Sequence, residues 1–98
     1  MAIRSFKDKI SEDICYGRVT KQTQKRIPVE LHQKAQIKIA RLGAAMSLDD
    51  LADLRGNRLE RFKGDRSGQY SIRINDQYRI CFRWQGNDVY DIEVTDYH

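Results

Sequence analysis

Hydrophobic residues recur with two different periods along this chain, and the change falls near its middle. In the first half the spacing is helical. Phe6, Ile10 and Ile14 stand four apart, and Ser5 with Asp8 has capping-box form, which predicts a helix over Phe6 to Tyr16 stopped by Gly17. Ile3 to Phe6 is a candidate first strand. Arg18 to Arg26 is polar and basic and reads as a connector or the frayed start of the next element. Pro28 suits a first helical turn, where its missing N–H is no loss. Leu31, Ala35, Ile39, Leu42 and Met46 then form one apolar stripe, with Lys34, Lys38 and Arg41 assigned to the surface. Ser47 with Asp50 predicts a further short helical turn ending before Gly56.

The second half alternates with period two. Tyr70, Ile72 and Ile74 alternate with Ser71 and Arg73; Tyr78, Ile80, Phe82 and Trp84 alternate with Arg79, Cys81 and Arg83. Asn75-Asp76 and Gly86-Asn87 read as two-residue hairpin loops. Val89 to Val94 is the last strand, with Tyr90, Ile92 and Val94 on its apolar side. Leu59 to Phe62 adds a candidate strand before the turn Gly64 to Gly68. The fold class expected is α+β: two N-terminal helices packed on an antiparallel β-sheet, in one domain spanning 1–98.

Composition narrows the function classes. The chain has 98 residues, 40% of them hydrophobic, and a formal net charge of +4. A mild basic excess fits RNA, an acidic protein partner or simple solubility. Two cysteines, Cys15 and Cys81, are too few for a disulfide framework, and no stretch has the length of a signal peptide core or a membrane span. The expectation is a reducing, cytoplasmic setting. With His32 and His98 the only histidines, no metal-ligand spacing is present, and no cofactor is expected.

Candidate chemistry lies on the polar side of the strands. Alternation puts Arg73, Arg79 and Arg83 on one face, with Asp91, Glu93 and Thr95. Two readings stay open: cross-strand ion pairing, or a cationic platform that grips phosphates. The chain ends Thr95-Asp96-Tyr97-His98, a carboxylate, a phenol and an imidazole directly after a strand. Imidazole titrates near neutral pH and can move a proton during phosphodiester cleavage; a frayed terminus is the bland alternative. His32 is assigned to the surface or a boundary. Tyr70, Tyr78, Trp84 and Tyr90 are assigned to the core side, and both cysteines are read as inert.

The run Asn57 to Trp84, with its Lys63-Gly64-Asp65-Arg66 and Tyr78-Arg79-Ile80-Cys81-Phe82 blocks, and the closing Asp96-Tyr97-His98 resemble HigB-type toxins of the RelE/ParE superfamily. Pro28 to Ala44 and Ser47 to Leu51 resemble the helical half. The resemblance implies a RelE-like fold and a metal-free, ribosome-dependent mRNA endonuclease that inhibits translation. It implies a HigA-type helix-turn-helix antitoxin as partner, together with the ribosome and mRNA; DNA is reached only through the antitoxin, and no membrane is involved. Site residues carried by the resemblance are Lys63, Arg79, Asp96, Tyr97 and His98, with Arg66, Arg73 and Arg83 as RNA-binding candidates. One departure is that Glu60-Arg61 stands where some members carry a histidine. A non-catalytic RNA- or ribosome-binding inhibitor is the rival reading. A DNA-binding regulator is weaker, because no helix-turn-helix spacing appears.

Overall fold

The computed structural model describes residues 2–53, 56–62 and 68–96. Among them the elements run β1 (Ala2–Ile3), α1 (Lys9–Cys15), α2 (Lys21–Arg26), a 3-10 turn (Val29–Leu31), α3 (His32–Ala44), α4 (Leu48–Ala52), β2 (Glu60–Arg61), β3 (Gln69–Arg73), β4 (Tyr78–Gln85) and β5 (Asp88–Asp96). The sheet is five-stranded in the order β1-β5-β4-β3-β2. β2 to β5 pair antiparallel, as the alternation predicts, whereas β1 lies parallel to β5.

The helical layer departs from expectation in instructive ways. Ser5 does not cap α1. Asp8 does, its carboxylate accepting the Ser11 N–H at 2.8 Å. The connector Arg18 to Arg26 contains a helix of its own, α2, opened by a reciprocal box between Thr20 and Thr23. In α3, Ala35, Ile39 and Leu42 face the core, but Met46 is 81% exposed because the helix ends at Ala44 and Ala45 takes the next buried place. His32 and Lys38 are buried, not superficial. The His32 ring sits 2.9 Å from the Ile27 carbonyl through Nε2. The Ser47–Asp50 box opens α4 as predicted.

The core joins Ile14, Ile27, Ile39, Leu42 and Leu51 from the helical half to Ile72, Ile80, Phe82, Val89, Ile92 and Val94 of the sheet. Burial of side chains of this size stabilises by roughly 1.5–3 kcal/mol each. Gly86 and Asn87 both have positive φ, 57° and 68°, the geometry of the tight hairpin between β4 and β5. The β3–β4 connection is longer than predicted. Residues 74–77 separate the strands, and the Asn75 side-chain oxygen accepts the Gln77 and Tyr78 N–H groups at 2.9 and 2.8 Å.

β5 carries a bulge at Asp91, whose φ is +55°, and the β4–β5 register shifts between Cys81 and Arg83. Val89 and Ile92 are therefore both in the core, three residues apart, and Tyr90 pairs with Arg83 on the polar side. The assignment of Tyr90 to the apolar face is thus corrected. The Asp91 and Ile92 N–H groups bond to the Ser5 hydroxyl and carbonyl at 2.9 and 3.2 Å. Further along β5, where β1 has ended, helix side chains take over. Ser11 Oγ accepts the Val94 N–H at 3.0 Å, and Arg26 donates to the Val94 carbonyl at 3.0 Å.

Candidate nucleic-acid interface

The strand register assembles one polar face from sequence-distant residues. Glu60 pairs with Ser71 and Ser71 with Cys81; Arg73 pairs with Arg79, Gln69 with Arg83, and Arg79 with Thr95. Alternation then puts Glu60, Ser71, Arg73, Arg79 and Arg83 on the same side.

Arg79 is not the exposed residue that the alternation suggests. It is 6% exposed. Its Nε donates to Ser71 Oγ at 2.8 Å, and its Nη2 donates to the Ser71 carbonyl at 3.2 Å and to the Arg58 carbonyl. Arg58 has φ +44°, so the chain bends there and turns that carbonyl toward the guanidinium. Nη1 faces the Glu60 carboxylate at 3.9 Å. The side chain is oriented by β3 and the loop before β2, with its charge directed toward the half-exposed Glu60.

The other arginines differ. Arg73 pairs with Asp76 of the β3–β4 connection. Arg83 is exposed and lines a groove of about 270 Å³ with Lys7, Gln69, Cys81, Asp91 and Glu93. The β5 carboxylates turn to other partners: Glu93 to Lys7 at 3.6 Å, and Asp91 to the Ser5 hydroxyl at 3.4 Å. Asp96 closes β5 opposite Tyr78 and accepts from Gln77 Nε2 at 2.9 Å. Lys63, Arg66, Tyr97 and His98 lie outside the described residues.

Two features escaped the reading of the sequence. Glu60 is brought to Arg79 only by the β2–β3 pairing. The second is a cavity of about 500 Å³ lined by Lys34, Lys38, Gly56, Arg73, Ile74, Asn75, Asp76 and Gln77. Lys38 Nζ donates to Asn57 Oδ1 at 2.5 Å. Asn57 is fully buried, and its amide nitrogen donates to the Leu51 carbonyl at 3.0 Å. Burial, reinforced by the charges of Arg41, Lys34 and Arg73, holds the Lys38 ammonium below the ordinary lysine range. Cys15 is held above the ordinary thiol range by burial and by Glu12, which suits an unreactive side chain. Among the described residues no three His, Cys, Asp or Glu side chains cluster as a metal site, and no helix is long and apolar enough to cross a membrane.

The architecture, helices packed on a sheet in which β1 runs parallel to β5, recurs in solved structures of small bacterial toxins. Solved structures of this fold include a YoeB/ParE toxin from Agrobacterium tumefaciens (TM-score 0.63, 17% identity, all of both chains). They also include a heterotetrameric YoeB-YefM toxin-antitoxin complex from Staphylococcus aureus (TM-score 0.60, 23% identity, 100% of this chain and 97% of that one). Sequence narrows the class. Toxin HigB-1 of Vibrio cholerae serotype O1 is 35% identical over 79 residues, 81% of this chain and 80% of that one. The family model described as the RelE-like toxin of type II toxin-antitoxin system HigB matches residues 4–98. The chain belongs to this HigB-like toxin family, and its role is that of a type II toxin.

Proposed function

We propose that this toxin is an endoribonuclease that cuts mRNA on the translating ribosome, in the cytoplasm, and is neutralised by a helix-turn-helix antitoxin of the HigA type. The observation that supports it most is the meeting of Arg79, Glu60 and Arg73 on one polar face, beside the strand that ends in Asp96. The ribose 2′-hydroxyl attacks the adjacent phosphorus, the 5′-oxygen leaves, and the products are a 2′,3′-cyclic phosphate and a 5′-hydroxyl end. Arg79, with Lys63, stabilises the charge gathering on the phosphoryl oxygens. Glu60 is the carboxylate placed to take the 2′-hydroxyl proton. His98 returns a proton to the leaving oxygen; Tyr97 contacts a base or the scissile phosphate. Arg66 and Arg83 hold RNA. The ribosome supplies the orientation that a face this open does not.

The burial of Arg79 favours a second reading, in which it is a structural tie and the protein inhibits growth by binding without cutting. Mapping of 5′ ends in mRNA from translating ribosomes and from naked mRNA decides between them. New 5′-hydroxyl ends that appear only during translation are expected, and they vanish in His98→Ala. Growth arrest with no new ends establishes the binder; equal cleavage of both substrates removes the ribosome from the mechanism.

A further inference from the structure

Three cations and one carboxylate line the 500 Å³ cavity between α3 and the β3–β4 connection. The carboxylate, Asp76, is 94% exposed at its side chain and is paired with Arg73, which leaves the two lysines without a counter-charge from it. Lys34 has no carboxylate partner among the described residues. The partner of Lys38 is the neutral amide of Asn57. Lys34 and Lys38 stand four apart on one helix, a like-charge spacing that destabilises the helix carrying it. A buried ammonium without a counter-charge is costly unless an anion completes it.

The position of the cavity identifies the anion. Arg73 is the ladder partner of Arg79, and Gln77 holds Asp96, so the cavity adjoins the face assigned above to RNA cleavage. We propose that this cavity is a phosphate-binding subsite for the RNA strand, taking a backbone phosphate next to the one held at Arg79. This rests on the RNA reading of the site. Lys38 and Lys34 act as point charges and Arg73 as the fork that bridges the two phosphates.

The test uses the full chain and a short 2′-O-methyl RNA, which binds but cannot be cut. Amide shifts should appear at Lys34, Lys38, Arg73 and Gln77 as well as at Arg79. In Lys34→Glu, Kd should rise about tenfold at low salt, and the slope of log Kd against log salt should fall by about 0.7 for the lost contact. Lys34 is exposed, so its melting temperature serves as the folding control; Lys38→Gln should give the same loss of slope. Unchanged affinity and slope in both variants overturn the subsite. Shifts at these four residues with a glutamate-rich peptide and none with the RNA also overturn it, and make the cavity a seat for an acidic protein segment. Absence of mRNA cleavage on translating ribosomes by the wild-type protein refutes the proposed activity, whereas cleavage there with unchanged affinity and salt slope in both variants refutes the subsite alone.

Discussion

The two ends of the helical layer treat charge in opposite ways. Around α1 and α2, ionic groups are matched. Asp8 caps α1 and meets Arg26 at 3.0 Å; Asp13 meets Arg18 at 2.9 Å and Lys9 at 3.4 Å; nearby, Asp88 meets Arg4 at 3.0 Å. The arginine bonds hold the Asp13 and Asp88 carboxyls below the usual range. Along α3 the cations Lys34, Lys38 and Arg41 gather, and burial with the neighbouring positive charges pushes Lys38 away from its charged form. The same fold thus contains a region whose electrostatics are complete in the free protein and one whose electrostatics await a partner.

The largest effect expected is at Arg79, which belongs to both kinds. Arg79→Ala should abolish cleavage and also destabilise by about 2–4 kcal/mol, because the Ser71 hydroxyl and the Arg58 carbonyl lose their donor. Thermal melts with single-turnover cleavage on the same variant check it. Arg79→Lys should recover part of the stability and little of the activity, since an ammonium lacks the planar fork. Full recovery of both would make Arg79 a simple point charge.

Asn57→Ala comes next. It strips the partner from Lys38 and from the Leu51 carbonyl in a fully buried site. A loss of about 2–3 kcal/mol in urea unfolding is expected. A loss under about 0.5 kcal/mol would show that water replaces the amide and that the ammonium was never confined.

Asp8→Ala should cost about 1 kcal/mol, the worth of an N-cap. The pH dependence has a definite sign. Burial alone would raise the Asp8 pKa, but the Ser11 hydrogen bonds and Arg26 outweigh it and the folded value is lowered. Its stabilisation is complete above the ordinary aspartate value of about 3.9 and is lost as pH falls through the lowered folded value. The wild type should lose stability more steeply than the variant in that acid window. Smallest of all, Lys34→Gln should change stability by less than about 0.5 kcal/mol. A clear stabilisation by Lys34→Gln would show that repulsion from Lys38 dominates even in salt.

Much of this contrast was hidden in the sequence for physical reasons. The alternation of β3 and β4, the α3 stripe, the Ser47 box and the Gly86-Asn87 turn were legible because each repeats a period or demands a special φ. α2 was not, since Lys21 to Arg26 offers no apolar face and its box uses Thr23 in place of Glu or Gln. Lys38 occupies a core-facing place in the 3-4 spacing of Ala35, Leu42 and Ala45, but a count of apolar residues passes over a lysine. One extra residue at Asp91 reversed Tyr90, which alternation cannot anticipate. At the candidate site, Arg73, Arg79 and Arg83 were legible by period two. Their unequal exposure, and the arrival of Glu60, depended on strand pairing.

The parallel pairing of β1 with β5 has a consequence for how the molecule assembles. Ala2 bonds to Asp88 across 86 residues of chain, and the helices between them rest on Val89, Ile92 and Val94. The helical segments can flicker into existence on their own, but each is too short to persist without that strand beneath it. Closing so long a loop costs chain entropy that the local β3–β4 and β4–β5 hairpins do not incur, so the β1–β5 pairing is expected to form after them. Amide exchange at Val89 and Ile92 would then report opening of the whole molecule, while α4 exchanges by local fraying.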